Sequence, residues 1–181
     1  MISGMSEPLH HAPRRRKIAA VALALLTAAG LLASAPGAAQ ARDAADHCVV
    51  NLSTGETTCA ATQSLALAAD AAAAEDVGIM SVTLITLYDR TNYDPAGGTR
   101  SFVADGSYTC SAAYSPVEFS VDHLDAANWN NRASSVHTYR SCDIKLWDTV
   151  TLSGASSTWI DNLANLDTIG WNNRAGSYQI S

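Results

Sequence analysis

Two short loops in the last third of the chain carry a dense set of neutral oxygen donors. Asn130-Asn131-Arg132-Ala133-Ser134-Ser135 and Asn172-Asn173-Arg174-Ala175-Gly176-Ser177 each follow a tryptophan, so Trp-Asn-Asn-Arg-Ala occurs at Trp129–Ala133 and again, 42 positions later, at Trp171–Ala175. Amide carbonyls, backbone carbonyls and a serine hydroxyl make a partial cage for a hard cation, and Ca²⁺, which is held by oxygen ligands, is the ion such a loop suits. Neither loop contains a carboxylate, and affinity follows ligand charge, so binding is expected to be weak. The second loop, with Gly176 where the first has the Ser134 hydroxyl, is expected to be weaker still. Asn and Ser are also common turn formers that bond their own backbone, and a corner-shaping role is the competing account.

The elements that position these loops are themselves repeated. Leu124-Asp125 aligns with Leu166-Asp167, Ser135 with Ser177, and Ile85-Thr86-Leu87-Tyr88-Asp89 with Ile144-Lys145-Leu146-Trp147-Asp148. One supersecondary unit is therefore used twice, and a unit of this size does not bury an apolar face alone. From the hairpin aromatic to the loop Trp the first unit spans 41 positions and the second 24, and the extra length contains Cys110 and Ser115-Pro116. Trp129 and Trp171 are expected to be core anchors, and Arg132 and Arg174 to pair with carboxylates such as Asp125 and Asp167. Runs over 82–88, 101–104, 117–121, 135–139 and 143–147 suit strands, punctuated by Gly, Asn, Asp and Pro. The fold class is all-β, a small sandwich.

This pattern resembles the βγ-crystallin family, whose domain is two Greek-key motifs forming a sandwich. Trp147, Leu152 and Gly154 fit its aromatic-x4-aromatic-x-Gly hairpin apart from Leu152. Tyr88 and Tyr93 fit the first two positions in the other unit, with Pro95 where Gly is expected and Gly97-Gly98 displaced. Asn130 to Ser135 fits all six positions of the family's calcium pattern and Asn172 to Ser177 fits five. The resemblance covers 82–181 and implies calcium as a weakly bound cofactor and partner at Asn130, Asn131, Arg132, Ser134, Asn172, Asn173 and Arg174. In this family the hairpins holding Asp89 and Asp148 face the other motif's loop, where they would add charge. The same architecture resembles Streptomyces-type metalloproteinase inhibitors, which implies a secreted proteinase as the alternative partner. On that reading the inhibitory loop is Cys110 to Pro116, with Ser111, Ala112 and Tyr114 in contact. A killer-toxin-like protein is a third reading, to which no particular residue points.

Residues 1–41 are expected to be an export signal, with Arg14-Arg15-Arg16-Lys17, an apolar run from Ile18 to Leu32, and a small-residue cleavage site at Ala39-Gln40-Ala41. The whole chain has 11 Lys+Arg and 17 Asp+Glu; loss of the four basic residues and Glu7 leaves 7 against 16, a net charge of −9. Such a surface disfavours nucleic acid and, after signal cleavage, anionic membrane. The expectation is a secreted monomer. Four cysteines in an exported chain favour disulfides; three pairings are possible, and short-range closure favours Cys48 with Cys59, leaving Cys110 with Cys142. Between the signal and the repeats, 42–80 is expected to be a disulfide-closed hairpin with an Ala-rich helix over Thr62–Ala74, either an appendage to the 81–181 domain or a pro-segment. No catalytic motif is present, and no enzymatic activity is expected. Asp122-His123, placed on a strand, would point to opposite faces, and Ser134 with His137 is the one pair from which a triad would have to be built.

Overall fold

A computed structural model describes residues 46–76, 80–124 and 128–181; the expected export signal and Asp125 lie outside the described residues. The chain opens with a hairpin of β1 (His47–Asn51) and β2 (Thr57–Ala60), in which Cys48 and Cys59 face each other and are bonded. Helix α1 (Gln63–Asp76) follows, with the Leu65 N–H donating to the Thr62 hydroxyl at 3.3 Å as the N-terminal cap. The first repeat unit supplies β3 (Ser81–Tyr88), β4 (Thr99–Asp105), β5 (Phe119–Val121) and β6 (Ser135–Thr138). The second supplies β7 (Ile144–Trp147) and β8 (Ser177–Ile180).

These strands form two sheets, ordered β2-β1-β4-β3-β6 and β5-β8-β7. The units exchange strands. β5 leaves its own unit to pair with β8, and Leu163 of the second unit bridges to Val136 in β6. Further bridges, Ile144 with Ile160 and Trp147 with Ser156, widen the second sheet beyond β7. Neither unit has a complete sheet of its own, which is the physical reason for the duplication.

Alternation along the strands sends one set of side chains between the sheets. Leu84, Leu87, Phe102, Trp129, Ile144 and Tyr178 are fully buried there, and the Phe102 and Tyr178 rings meet across the gap at 4.4 Å between centroids. The expected all-β sandwich is thus the architecture of the two repeats, preceded by the disulfide hairpin and helix. The second disulfide is Cys110–Cys142.

Three features differ from the strand expectations. β8 was absent from them, although Ser177-Tyr178 aligns with Ser135-Val136 at the start of β6. Asp122-His123 lies beyond β5 rather than on a strand, with His123 in the left-handed region at φ 56°. The hairpin of β1 and β2 joins the repeat domain directly, since β1 pairs with β4, in parallel, over five positions.

Candidate metal centre

The repeated sequence folds into two clasps built from equivalent contacts. In each, the loop arginine lies over its own tryptophan, Arg132 on Trp129 at 4.8 Å and Arg174 on Trp171 at 4.6 Å from the ring centroid. Each then reaches the aspartate that ends the unit's opening strand motif, Arg132 to Asp89 at 3.0 Å and Arg174 to Asp148 at 3.1 Å. Each also donates to the carbonyl of the residue before its tryptophan, Asn128 or Gly170. The two echoes visible in the sequence, Ile-x-Leu-aromatic-Asp and Trp-Asn-Asn-Arg-Ala, are therefore the two halves of one contact.

This corrects two expectations. Arg174 pairs with Asp148 rather than Asp167; Arg132 pairs with Asp89 and Asp46, and its expected partner Asp125 lies outside the described residues. Asp89 and Asp148 face the arginine of their own unit, and their charge is spent there. The guanidinium groups of Arg132 and Arg174 also cannot act as ligands, because a cation does not coordinate a cation. Burial works against the Arg132 charge, but hydrogen bonds and fields from Asp89 and Asp46 outweigh it and raise its pKa.

The backbone repeats as faithfully. Ser134 N–H donates to the Tyr88 carbonyl and Gly176 N–H to that of Trp147; Leu166 N–H donates to Ser134 and Leu124 N–H to Gly176. The Ser135 hydroxyl donates to Arg90 O and receives the Tyr93 N–H, as Ser177 does with Thr149 O and the Leu152 N–H. Asn131 and Asn173 have φ of 57° and 53°, a left-handed conformation that asparagine tolerates better than most residues. Asparagine at that position thus has a conformational reason of its own.

The two loops face each other. Asn131 N–H donates to Ala175 O and Asn173 N–H to Ala133 O, both at 2.9 Å. The Ser134 hydroxyl, 5% exposed, donates across this seam to Asn173 Oδ1 at 3.1 Å. The oxygen pair nearest to a cation site is therefore shared between loops, Ser134 with Asn173, rather than contained in one of them. Two oxygens 3.1 Å apart, each about 2.4 Å from a calcium ion, would subtend about 80° at it, an ordinary angle in a calcium shell. In the second loop, Asn172 Oδ1 is also buried and without a hydrogen-bond partner. Asn130 is exposed and outside this pair.

By the same symmetry Asn131 should meet residue 176, which has no side chain. A Cβ there would come within 2.7 Å of the Thr149 carbonyl carbon and 2.8 Å of its oxygen. The loop after β7 fills the volume where the second hydroxyl would stand. Among the described residues no cluster of three or more His, Cys, Asp or Glu side chains is placed to hold a metal, so a cation here would rest on neutral oxygens. The displaced glycine of the first hairpin is Gly98, at φ 111°, where a Cβ would press on Asp46 O and Arg132 Nη2.

The other candidates separate. His137 stacks on Tyr139 at 4.4 Å and lies 5.1 Å from Tyr93, with the Tyr139 hydroxyl on its Nδ1; Ser134 is engaged with Asn173. In the 110–118 loop Ser111 and Ala112 are exposed, and Ser111 N–H donates to Glu118 Oε1 at 2.6 Å. Tyr114 stacks on Trp159 at 4.7 Å and donates to Asp143 Oδ2 at 2.6 Å, a bond that raises its pKa. The Ser181 hydroxyl donates to Ala113 O. The loop is therefore braced on the second unit through Tyr114, which still keeps 48% of its surface exposed.

No family model and no curated protein matches this chain. Solved structures do. What the chain resembles is a βγ-crystallin domain. It is similar to one from Flavobacterium johnsoniae (19% identity, 54% of this chain and 93% of that one, TM-score 0.37). It is also similar to the N-terminal domain of protein S (16%, 55% and 96%, 0.38) and to a double mutant of a domain from Clostridium beijerinckii (16%, 55% and 97%, 0.40). Identity and superposition are both low, and the two-unit architecture described above rests on the chain's own pairings.

Proposed function

We propose that this is an exported, non-enzymatic module of βγ-crystallin type in which one weak calcium ion ties the two repeat units together. The observation that carries the reading is the Ser134–Asn173 oxygen pair, 3.1 Å apart across the seam between loops. The orphaned Asn172 acceptor supports it. Export is supported by the basic and apolar N-terminus and by two disulfides. Among the described residues no helix is long and apolar enough to cross a membrane.

A cation on Ser134 and Asn173 replaces one hydrogen bond by several metal–oxygen contacts spanning both units. Its effect is on stability, because a ligand that binds only the folded chain stabilises it by RT ln(1 + [L]/Kd), about 1.4 kcal/mol at tenfold excess over Kd. The test is thermal unfolding of the mature protein with and without millimolar calcium, with magnesium as the control. Tm should rise with calcium, and Ser134→Ala should abolish most of the rise. A Tm indifferent to calcium at 10 mM, about ten times the weakest Kd of extracellular modules, would overturn the reading.

The second reading is a secreted proteinase inhibitor, favoured by the bracing of the 110–118 loop, which leaves Ser111 and Ala112 exposed on a fixed backbone. Stoichiometric inhibition of a secreted metallo- or serine proteinase that is lost in Ala112→Glu would support it. Full activity of the whole panel at equimolar protein would remove it.

A further inference from the structure

Strand β4 carries an arginine into the interior. Its residues alternate between two buried faces. On one, Val103 packs with Val49 and Ala66 of helix α1, and Gln63 Nε2 donates to the Ser101 hydroxyl at 3.3 Å. On the other, turned toward the second sheet, stand Arg100, Phe102 and Ala104, with Arg100 only 6% exposed. The neighbours of Arg100 on that face are apolar. Leu87 of β3 and the disulfide-bonded Cys48 of β1 flank it in register, and Phe102, two residues on, meets the Tyr178 ring across the gap at 4.4 Å between centroids.

Hydrogen-bond donors gather here without acceptors. Arg100 Nε and Nη1 and the Tyr178 hydroxyl are buried and have no hydrogen-bond partner. The two groups lie close enough to act on each other. Burial lowers the Arg100 pKa and Tyr178 opposes that shift, while burial raises the Tyr178 pKa and Arg100 opposes it. Among the described residues no carboxylate forms an ion pair with Arg100, and Glu118, itself partly buried, is held by the Ser111 amide. Arginine stays protonated in proteins, and a buried charge is tolerated only when it is paired and hydrogen-bonded. A water molecule would satisfy the N–H groups but leave the charge uncompensated.

We infer that Arg100 and Tyr178 bind a small, weakly hydrated monovalent anion between the sheets, of the halide class, with chloride as the physiological member. The donor set dictates the ligand. Two guanidinium N–H groups and a phenol O–H require a pure acceptor, and one cation is balanced by a single negative charge. The apolar flank of Leu87 and Phe102 selects further, because desolvation costs grow with charge and with small ionic radius, against sulfate, phosphate and fluoride. Arg100 belongs to β4 of the first unit and Tyr178 to β8 of the second, so the anion ties the two sheets together. Its effect is therefore on stability.

The test is thermal unfolding of the mature protein in EDTA, which removes calcium, with sodium chloride replacing sodium gluconate at constant ionic strength. Gluconate is too bulky for the interior. Tm should rise and level off, by about 3–6 °C at tenfold excess over Kd, and bromide should reproduce the rise where fluoride does not. Fluoride separates binding from a general salt effect, since strongly hydrated anions stabilise by exclusion from the surface. Arg100→Met should lose the chloride response, and Tyr178→Phe should raise the half-saturating chloride concentration several-fold. A Tm indifferent to chloride, or one that responds alike in the parent and in Arg100→Met, would overturn the inference. If Arg100→Met does not fold, crystals of the parent grown in bromide decide: an anomalous peak beside the guanidinium supports the site, and no peak there overturns it.

Discussion

Ser134 and Gly176 hold equivalent positions, with the same backbone bonds to the opening strand of their units, yet only one bears a hydroxyl. The difference is enforced by volume. Because the Thr149 backbone occupies the place of a Cβ at 176, Gly176→Ser is expected to destabilise by about 1–3 kcal/mol rather than restore a second cation site. Urea unfolding of the variant with and without calcium checks both halves of that statement. The arginines differ in degree. Arg132 serves two aspartates and two carbonyls with 23% of its side chain exposed, whereas Arg174 serves one of each at 44%. Arg132→Met is expected to cost about 2 kcal/mol and Arg174→Met less than about 1 kcal/mol, with the smaller loss erased by salt.

At the scale of elements, the start of β1 carries a pH response. His47, bonded to the Thr99 hydroxyl at 3.0 Å, has its pKa lowered from 6.5 by burial, with Asp46 opposing the shift. The unfolded chain therefore takes up a proton at higher pH than the folded one, and stability is lost as pH falls through and below 6.5. Unfolding midpoints measured between pH 7.5 and 5 should fall less in His47→Gln than in the parent. Exchange of the β1-facing amides of β4 should accelerate over the same range, because that is where the ring sits.

For the whole molecule, the second disulfide closes 32 positions and links the insertion of the first unit to the start of the second. Replacing Cys110 and Cys142 together by serine is expected to cost about 3–4 kcal/mol by loop entropy, read as a drop in Tm against the intact protein. The exchange of β5 and Leu163 between sheets makes the units one cooperative body. Calorimetric and van't Hoff enthalpies should accordingly agree, and a two-step transition would contradict that.

How much of this was legible before folding depends on the residue. The duplication and the buried tryptophans follow from sequence, because identical short words at one offset and local alternation are read along the chain, whereas short-range closure only favours one of three disulfide pairings. Strand β8 was missed although its repeat partner was recognised, since four residues carry too little alternation to stand out. The clasp needed three dimensions. Asp89 lies 43 positions from Arg132, and nothing along the chain prefers it to a nearer carboxylate. So did the pairing of Ser134 with Asn173 across two loops, the Thr149 backbone behind Gly176, and the parallel seating of β1 on β4. Sequence by itself determines that there are two units and what groups each carries. Only the tertiary structure decides which groups meet, because strand exchange and edge pairing join residues whose separation along the chain holds no information about their distance.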